Sequence, residues 1–284
     1  MSDTREQYVG TVTAIHRFPV KSMLGEFCQT ATVTARGVAG DRAWAVLDAT
    51  TGKVASAKRP QYWRALLRCA AATVEAAGRP GPVRITMPDG TTLTAGDPDI
   101  DRLLSALTGR AVRLVNVPPA AAKLDRSVPE AVLDQGLDAE VDSIVLQMGQ
   151  GAPGGTFVDY APLHLLTTAS LHALDSAIEG EPIEPIRYRP NVIIASPEGS
   201  PRFAENAWLG GSVRVGEAVM LRVILPTPRA PSRPWLMARC SAVRRHCLAR
   251  PLRTAWMLWV LAICPVPGCT WTCDRKGQSV SATK

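Results

Sequence analysis

VGTVTAIHRFPVKSMLGEFCQTATVTARGVAGDRAWAVLD, at residues 9–48, has the pattern of a β-rich protein. Apolar and polar residues alternate in VGTVTAIHR (residues 9–17) and in CQTATVT (residues 28–34), which is typical of half-buried strands. Gly37 and Gly40, which follow these runs, allow a tight turn, because a residue without a Cβ adopts positive φ angles at little cost. The stretch therefore predicts short strands joined by turns, as in a β-barrel or sandwich.

The same kind of pattern continues through the following residues. Further strands are predicted at residues 43–47, 53–57, 63–73, 83–87, 91–94, 163–166, 191–195 and 219–225. Helices are predicted at residues 99–107 and 168–178. Residues 114–126 are rich in Pro and Ala, as a linker is, and GQGAPGGT (residues 149–156) predicts a flexible loop. The fold class predicted is mainly β with some α (α+β).

The charge of the chain is concentrated near its C-terminus. The 284 residues are 46% hydrophobic and 20% charged, as in globular proteins, and the formal net charge is +7. Residues 229–284 contain ten Lys or Arg and one acidic residue, which leaves 22 basic and 24 acidic residues in residues 1–228. Since no helix-turn-helix, zinc finger or RNA-binding motif accompanies the basic segment, we expect no nucleic-acid partner.

The segment at residues 230–284 has an unusual composition. It contains no Glu, Asn, Tyr or Phe, yet it holds five of the seven cysteines and four of the seven tryptophans. Its cysteine spacing matches no standard zinc site. The apolar run AWMLWVLAICPV (residues 255–266) is too short to cross a bilayer. The N-terminus MSDTREQYVG lacks an apolar signal region, and residues 1–228 have only two cysteines. We therefore expect a cytoplasmic protein without a membrane partner.

Four clusters of cationic and hydroxyl side chains are candidates for binding an anion. They are PVKS (residues 19–22), GVAGDR (residues 37–42), SAKRP (residues 56–60) and RYRPN (residues 187–191). Lys21 and Ser22 offer an ammonium and a hydroxyl, and Arg42 offers a rigid guanidinium suited to phosphate. Each cluster alone is also consistent with solvated surface charges. Together they indicate an anionic cofactor, whose identity the pattern leaves open.

Seven motifs in this order resemble the MOSC family with its N-terminal β-barrel domain. They are FPVKSMLGE, GVAGDRAWAVLD, SAKRP, LHLLTTASL, RYRPNVII, FAENAWLGG and PTPR. The family includes molybdenum-cofactor reductases such as the amidoxime-reducing components, and pyridoxal phosphate binding is associated with it. The resemblance implies an N-terminal β-barrel domain at residues 8–118, an incomplete MOSC β-barrel domain at residues 119–229, and an aberrant basic tail rich in Cys and Trp at residues 230–284.

The resemblance also implies a molybdenum cofactor, a pyranopterin, at the domain junction. The residues that would bind it are Lys21, Ser22, Arg42, Thr168, Ser170, Arg189, Asn191 and Arg229. Family members reduce small N-hydroxylated molecules with electrons from a separate donor protein. The chemistry belongs to the cofactor, and the protein holds and orients it.

The chain departs from the family pattern directly after PTPR (residues 226–229). The family places a cysteine there whose thiolate binds molybdenum, whereas this chain has Ala230. No catalytic or metal-binding residue is therefore assigned. The family's closing helix, strand pair and Val-Gly-Asp turn are missing as well.

A shifted reading frame after Arg229 accounts for this departure. When the third base of each codon is read with the first two of the next, the Arg229–Ala230 junction permits Cys. The Met237–Ala238 junction then requires Gly, and the last junctions permit Val-Gly-Asp. We therefore interpret residues 230–284 as a frameshifted version of the family's closing segment.

Three interpretations of the function remain open. The first is a molybdenum reductase impaired by loss of the thiolate. The second is a non-catalytic module that binds the cofactor or another anion. The third is a non-functional product that folds poorly, because lost closing strands expose a sheet edge. Reduction of an N-hydroxylated base distinguishes the first from the others.

Overall fold

The computed structural model of the protein describes residues 6–76, 79–176, 184–228, 256–262, 271–274 and 278–283. The first strands are β1 (Gln7–Arg17), β2 (Glu26–Cys28), β3 (Thr30–Thr34), β4 (Gly37–Val38), β5 (Ala45–Asp48), β6 (Ala70–Ala76), β7 (Arg79–Thr86), β8 (Thr92–Thr94) and β9 (Val112–Val115). The later strands are β10 (Lys123–Ser127), β11 (Ser143–Gln147), β12 (Leu163–Thr167), β13 (Val192–Ala195), β14 (Ser212–Val215), β15 (Val219–Pro228), β16 (Trp256–Ala262), β17 (Trp271–Asp274) and β18 (Ser279–Thr283).

The helices are fewer and short. They are α1 (Pro60–Trp63), α2 (Ile100–Thr108), α3 (Pro129–Gln135) and α4 (Thr168–Asp175), with 3-10 helices at Arg64–Arg68, Pro185–Tyr188 and Ala204–Trp208. This content confirms the predicted mainly β, α+β fold class. In the described part of the chain, no helix combines the length and the apolar character needed to cross a bilayer.

Eight strands form one curled sheet, the barrel sheet, in the order β13-β12-β16-β15-β14-β18-β1-β2. All neighbours are antiparallel except β12 and β13, which run parallel. β13 also pairs with β1, with Thr11 opposite Ala195 and Ile15 opposite Val192. The sheet therefore curls round until its two sides meet at β1, which is paired along both of its edges.

The alternation predicted for residues 9–17 is confirmed in β1, with one irregularity. The register against β13 shifts between Val12 and Ala14, so Val12 and Ile15 both reach the core of the barrel sheet. Gly10 is required beside β13, because a Cβ there would lie 2.2 Å from the carbonyl oxygen of Ala195. This close approach brings the start of the chain against a strand from its second half.

A second core lies between the antiparallel sheet β6-β7-β8 and helix α2. Its buried members include Val20, Met23, Val46, Trp63, Leu66, Ile85 and Leu104. Ile100 and Leu104 are the buried residues of α2, and Gly109 ends the helix in a left-handed conformation. The predicted helix at residues 99–107 is thereby confirmed. Val20 and Met23 follow β1 directly, so the chain passes from one core to the other within a few residues.

Three predicted segments differ from the structure. Residues 53–57 were expected as a strand, but only Val54 pairs there, in an isolated bridge with Leu47. Residues 63–73 were expected as one strand, but a helical turn starts at Pro60 and the strand β6 begins only at Ala70. Proline favours the first position of a helix, and this turn buries Trp63 and Leu66 on one side. Residues 114–126 were expected as a linker, yet they include the start of β10, which pairs with β11. Its polar Asp125 is stabilised there by ion pairs with lysine and arginine.

Strands from the C-terminal segment occupy places within the sheets. β16 lies between β12 and β15, β18 lies between β14 and β1, and β17 pairs with β3. We expected that loss of the family's closing strands would leave an open sheet edge. This expectation is wrong at β16 and β18, which both have neighbours on each side in the barrel sheet. Strand pairing uses backbone groups that every residue except proline carries. Val280 and Ala282 are alternate residues of β18 and both lie in the core, so a short apolar alternation is enough to place this strand in the barrel sheet.

Substitution of Val280 tests whether β18 belongs to the barrel core. Val280 is fully buried, so we expect Val280→Asp to lower the free energy of unfolding by about 3 kcal/mol, because it buries a carboxylate without a partner. The exposed neighbour Ser279 provides the control, and Ser279→Asp should change stability by about 0.5 kcal/mol or less. Urea unfolding measures both. Equal and small effects would show that residues 279–283 do not pack in the barrel sheet.

Candidate functional site

Three distant parts of the chain meet where β1 ends. The backbone N–H of Phe18 donates to Asp41 Oδ1 at 2.7 Å, and the N–H of Arg42 donates to the carbonyl of Phe18 at 2.8 Å. The N–H of Phe157 then donates to the carbonyl of Arg42 at 2.8 Å. We call this region the junction, and its residues are Phe18, Lys21, Asp41, Arg42, Lys58, Phe157, Asp159, Arg189 and Asn191.

The guanidinium of Arg42 is buried and held on three sides. It donates to the carboxylate of Asp41, to Asn191 Oδ1 at 3.3 Å and to the carbonyl of Arg189 at 3.4 Å. Asp41 is itself 1% exposed. A buried charge is tolerated when it is paired and hydrogen-bonded, so Asp41 both neutralises Arg42 and fixes its direction.

The ring of Phe18 contacts two guanidinium groups. Arg42 Cζ lies 5.1 Å from the ring centroid and Arg189 Cζ lies 4.3 Å from it. The negative face of an aromatic ring attracts cations, more strongly where water is excluded. Arg189 also donates from Nη1 to the carbonyl of Met23. Phe18 thus holds two arginines from opposite halves of the chain near each other.

Lys21 forms a second cationic group of the junction, together with Lys58. Its Nζ donates to the carbonyl of Phe157 at 3.2 Å and to the carboxylate of Asp159, whose second oxygen lies 2.8 Å from Lys58 Nζ. Burial lowers the pKa of Lys21 to about 8, although Asp159 beside it acts in the opposite direction. Burial raises the pKa of Asp159, but Lys21 and Lys58 outweigh it and hold that pKa well below its usual range.

Asn191 connects the junction to the barrel sheet. Its side chain is fully buried, and its Oδ1 accepts from the backbone N–H of His164 at 3.0 Å as well as from Arg42. Its Nδ2 donates to the carbonyl of His16 at 3.3 Å. Because His16 is in β1 and His164 is in β12, the amide fixes the junction relative to both strands.

Backbone strain is concentrated at the predicted site residues. Ser22, Arg42 and Arg189 have φ angles of 66°, 47° and 59°, in the left-handed region. Among the described residues other than glycine, only Ala121 and Phe203 share this feature. Each such residue costs on the order of 1 kcal/mol and persists only where the surroundings enforce it, as they often do at binding sites.

The structure does not bring every predicted site residue to the junction. Lys21, Arg42, Arg189 and Asn191 meet there, while Ser22 lies beside it and accepts from the N–H of Ala57 at 3.1 Å. Thr168 and Ser170 lie at the start of α4. Thr168 Oγ1 accepts from the N–H of Ser196 at 2.9 Å, and Ser170 pairs with Thr167. Arg229 and Ala230 lie outside the described residues.

Several residues of the site were not predicted from the sequence. They are Phe18, Asp41, Phe157, Asp159, His16 and His164. Phe18 and Asp41 adjoin predicted residues, in FPVKS and GDR, so their neighbourhood was the available signal. The SAKRP cluster divides in the structure, because Lys58 joins the junction while Arg59 pairs with Asp125 and stacks on Tyr62.

The junction is suited to bind an anion. Its four cations, Lys21, Arg42, Lys58 and Arg189, exceed its two carboxylates by two charges. The described part of the chain contains no cluster of three or more His, Cys, Asp or Glu with metal-binding geometry. Cys28 and Cys69 are buried in the two hydrophobic cores. The arrangement supplies N–H donors and positive charge, which are the groups that phosphate requires.

Comparison with known proteins identifies one domain. Residues 9–112 match the family model of the MOSC N-terminal beta barrel domain. The matched range contains Lys21, Ser22 and Arg42 but ends before Arg189 and Asn191. Among curated proteins, none matches the chain.

Removing the Asp41 carboxylate tests whether it supports the junction. We expect Asp41→Ala to lower the free energy of unfolding by about 3–5 kcal/mol, because Arg42 is left buried without its counter-ion. Asp99 offers a matched control, since its pair with Arg102 is exposed and Asp99→Ala should cost about 1 kcal/mol or less. Chemical denaturation measures both variants. A loss for Asp41→Ala no larger than that for Asp99→Ala would contradict the assigned role.

Proposed function

Residues 9–112 form a MOSC N-terminal beta barrel domain, and from this premise we propose that the chain binds the phosphate-bearing pterin of a molybdenum cofactor at the junction. One observation carries the proposal. Cationic side chains from four separate segments meet near the end of β1, since Lys21 and Lys58 share Asp159 while Arg42 and Arg189 both lie over the ring of Phe18. Proteins avoid such clustering of like charges unless an anion compensates it.

The residues present fit the anionic part of such a cofactor. Arg42 would present its planar fork to phosphate oxygens, and Lys21 and Lys58 would present point charges. The contacts of Asp159 support this assignment. Its carboxylate bridges Lys21 and Lys58, so the two ammonium groups are close enough to bind one anionic group together. When bound, the cofactor would supply redox chemistry at its metal, while the chain holds and orients it.

Two phenylalanines beside the cations would shield a bound anion from water. Phe18 and Phe157 are fully buried beside the cations. A low effective dielectric strengthens each charge–charge interaction, so fewer contacts are needed to hold the ligand. We propose that this shielded wall sets the orientation of the pterin relative to β1.

Catalysis requires a metal-binding thiolate and a source of electrons, which the junction does not contain. We propose that the parent activity is the reduction of a small N-hydroxylated substrate by a cytoplasmic enzyme, with electrons from a separate donor protein. The family's metal-binding thiolate is replaced by Ala230, and the thiols of Cys28 and Cys69 lie in hydrophobic cores. This observation favours the second candidate, a module that binds the cofactor without efficient catalysis.

A charge-removing variant tests cofactor binding. The full chain is purified from a bacterial host that makes the cofactor, and pterin per protein is measured by fluorescence after oxidation. Titration calorimetry gives the affinity for inorganic phosphate. We expect Lys21→Met to weaken phosphate binding by about 10- to 150-fold, because one charged hydrogen bond is lost. Lys53→Met is the control, since Lys53 pairs with Asp125 and is not part of the junction. If the native chain carries no pterin and binds no phosphate, the proposal fails.

The pKa of Lys21 predicts how affinity depends on pH. Sulfate is the suitable probe because its charge is constant between pH 7 and 10. Since the pKa of Lys21 is about 8, we expect sulfate affinity to be highest below that pH and to fall as the ammonium loses its proton above it. In Lys21→Met the decline should disappear. A native profile that is flat between pH 7 and 10 would contradict the assignment.

Restoring the thiolate tests the catalytic part of the proposal. We expect Ala230→Cys to retain more molybdenum per pterin than the native chain and to reduce an N-hydroxylated base at a measurable rate. The control is Ala230→Ser, which has nearly the same size and lacks the soft sulfur ligand. Molybdenum content is measured by mass spectrometry. No gain of either metal or activity in the cysteine variant would leave only the binding function.

A further inference from the structure

We infer that His16 is a positioning residue for anion binding, because its imidazole holds the Arg189–Pro190 backbone and thereby directs Arg189 into the junction. His164 acts in the same way from the opposite side. The inference rests on the proposed function for its ligand. It concerns two histidines that do not themselves contact the anion.

Two consecutive carbonyl groups are held by the two histidines. His16 Nδ1 lies 3.2 Å from the carbonyl oxygen of Pro190, and His164 Nδ1 lies 3.3 Å from that of Arg189. A carbonyl oxygen only accepts hydrogen bonds, so Nδ1 carries the proton in both rings. β13 lies between β1 and β12, so the histidines approach the segment that precedes it from both sides.

The backbone that they hold is unfavourable by itself. Arg189 has φ 59° and ψ 41°, in the left-handed region. A proline after it makes this worse, because the ring of Pro190 pushes the preceding residue towards extended conformations. Such a conformation persists only where neighbouring contacts enforce it. The two imidazole donors are contacts of this kind, and both are buried, with His16 6% and His164 1% exposed.

The conformation of Arg189 controls two features of the junction. Its carbonyl also accepts from Arg42, and its guanidinium lies over the ring of Phe18. Relaxation of Arg189 towards an extended conformation would move both groups. Losing the His16 donor should therefore weaken anion binding without removing any charge from the junction.

His16 remains a neutral donor at pH 7. Burial lowers its pKa, and the bond to the Pro190 carbonyl opposes this only in part. The ring therefore adds no charge to a region that already holds Arg42 and Arg189. Its other role is packing, since its centroid lies 6.3 Å from that of Phe18 and 5.6 Å from that of Phe27. The experiment must separate donation from packing.

Two substitutions at His16 make this separation. His16→Phe keeps an aromatic ring and loses the N–H, whereas His16→Asn loses the ring and keeps an N–H near the position of Nδ1. In the full chain, we expect His16→Phe to weaken phosphate binding about tenfold by calorimetry, the loss of one hydrogen bond, and His16→Asn to stay within about threefold of the native chain. The control is His172→Phe, on the exposed side of α4, which should bind phosphate like the native chain.

A second measurement keeps the test independent of the ligand. The backbone N–H of Asn191 donates to His164 O at 2.7 Å, so its hydrogen exchange reports on the segment after Arg189. We expect its exchange to be at least about tenfold faster in His16→Phe and nearly native in His16→Asn. Native-like exchange in His16→Phe, or phosphate affinity equal to that of the native chain, would overturn the inference. Absence of phosphate binding by the native chain, with exchange responding as expected, would overturn the proposed function and the role of His16 in anion binding, and would leave only its support of the Arg189 backbone.

Discussion

Mutual repulsion among nearby cations is the constraint on which the junction depends. Lys21 and Arg42 are buried and Arg189 is half-buried, and like charges repel more strongly in a region of low effective dielectric than in water. Carboxylates compensate Lys21 and Arg42, whereas Arg189 is compensated by a backbone carbonyl and by the face of an aromatic ring. Burial is the main cause of the lowered pKa of Lys21, and the nearby charges of Lys58 and Arg42 lower it further. An anionic ligand would complete this compensation, which is why we propose phosphate and not a neutral molecule as the ligand.

The path of β1 determines where the cationic residues of the junction come together. The strand pairs along both edges within the barrel sheet and then enters the second core at Val20. Residues on either side of this passage therefore contact both halves of the chain. Phe18 lies in this passage, so a ligand bound by its neighbours would lie beside the segment that joins the two cores. The strained backbone of Arg42 and Arg189 is maintained by the same contacts, so the site is preorganised before any ligand arrives.

Sequence patterns predicted the strands with alternating residues and the cationic motifs, because both are local signals. The resemblance to the MOSC family, which the motifs carry, placed Lys21, Arg42, Arg189 and Asn191 in one site. Local patterns could not show that Asp159 pairs with Lys21, since this contact joins residues 138 positions apart. They also did not show that Ser170 points into its own helix start. A hydroxyl at a helix start either caps the helix or binds a ligand, and only packing distinguishes the two.

The C-terminal segment shows that strand pairing and metal binding place different requirements on the sequence. β16 and β18 complete their places in the barrel sheet with residues whose composition is unlike the rest of the chain, since a ladder depends on backbone groups and a few apolar positions. A metal-binding thiolate has no such tolerance, because one atom at one position supplies it. The frameshift hypothesis and a folded chain are therefore compatible. The described groups that would hold the anion all precede residue 192, so a change after Arg229 would leave them in place and remove the reactive ligand alone.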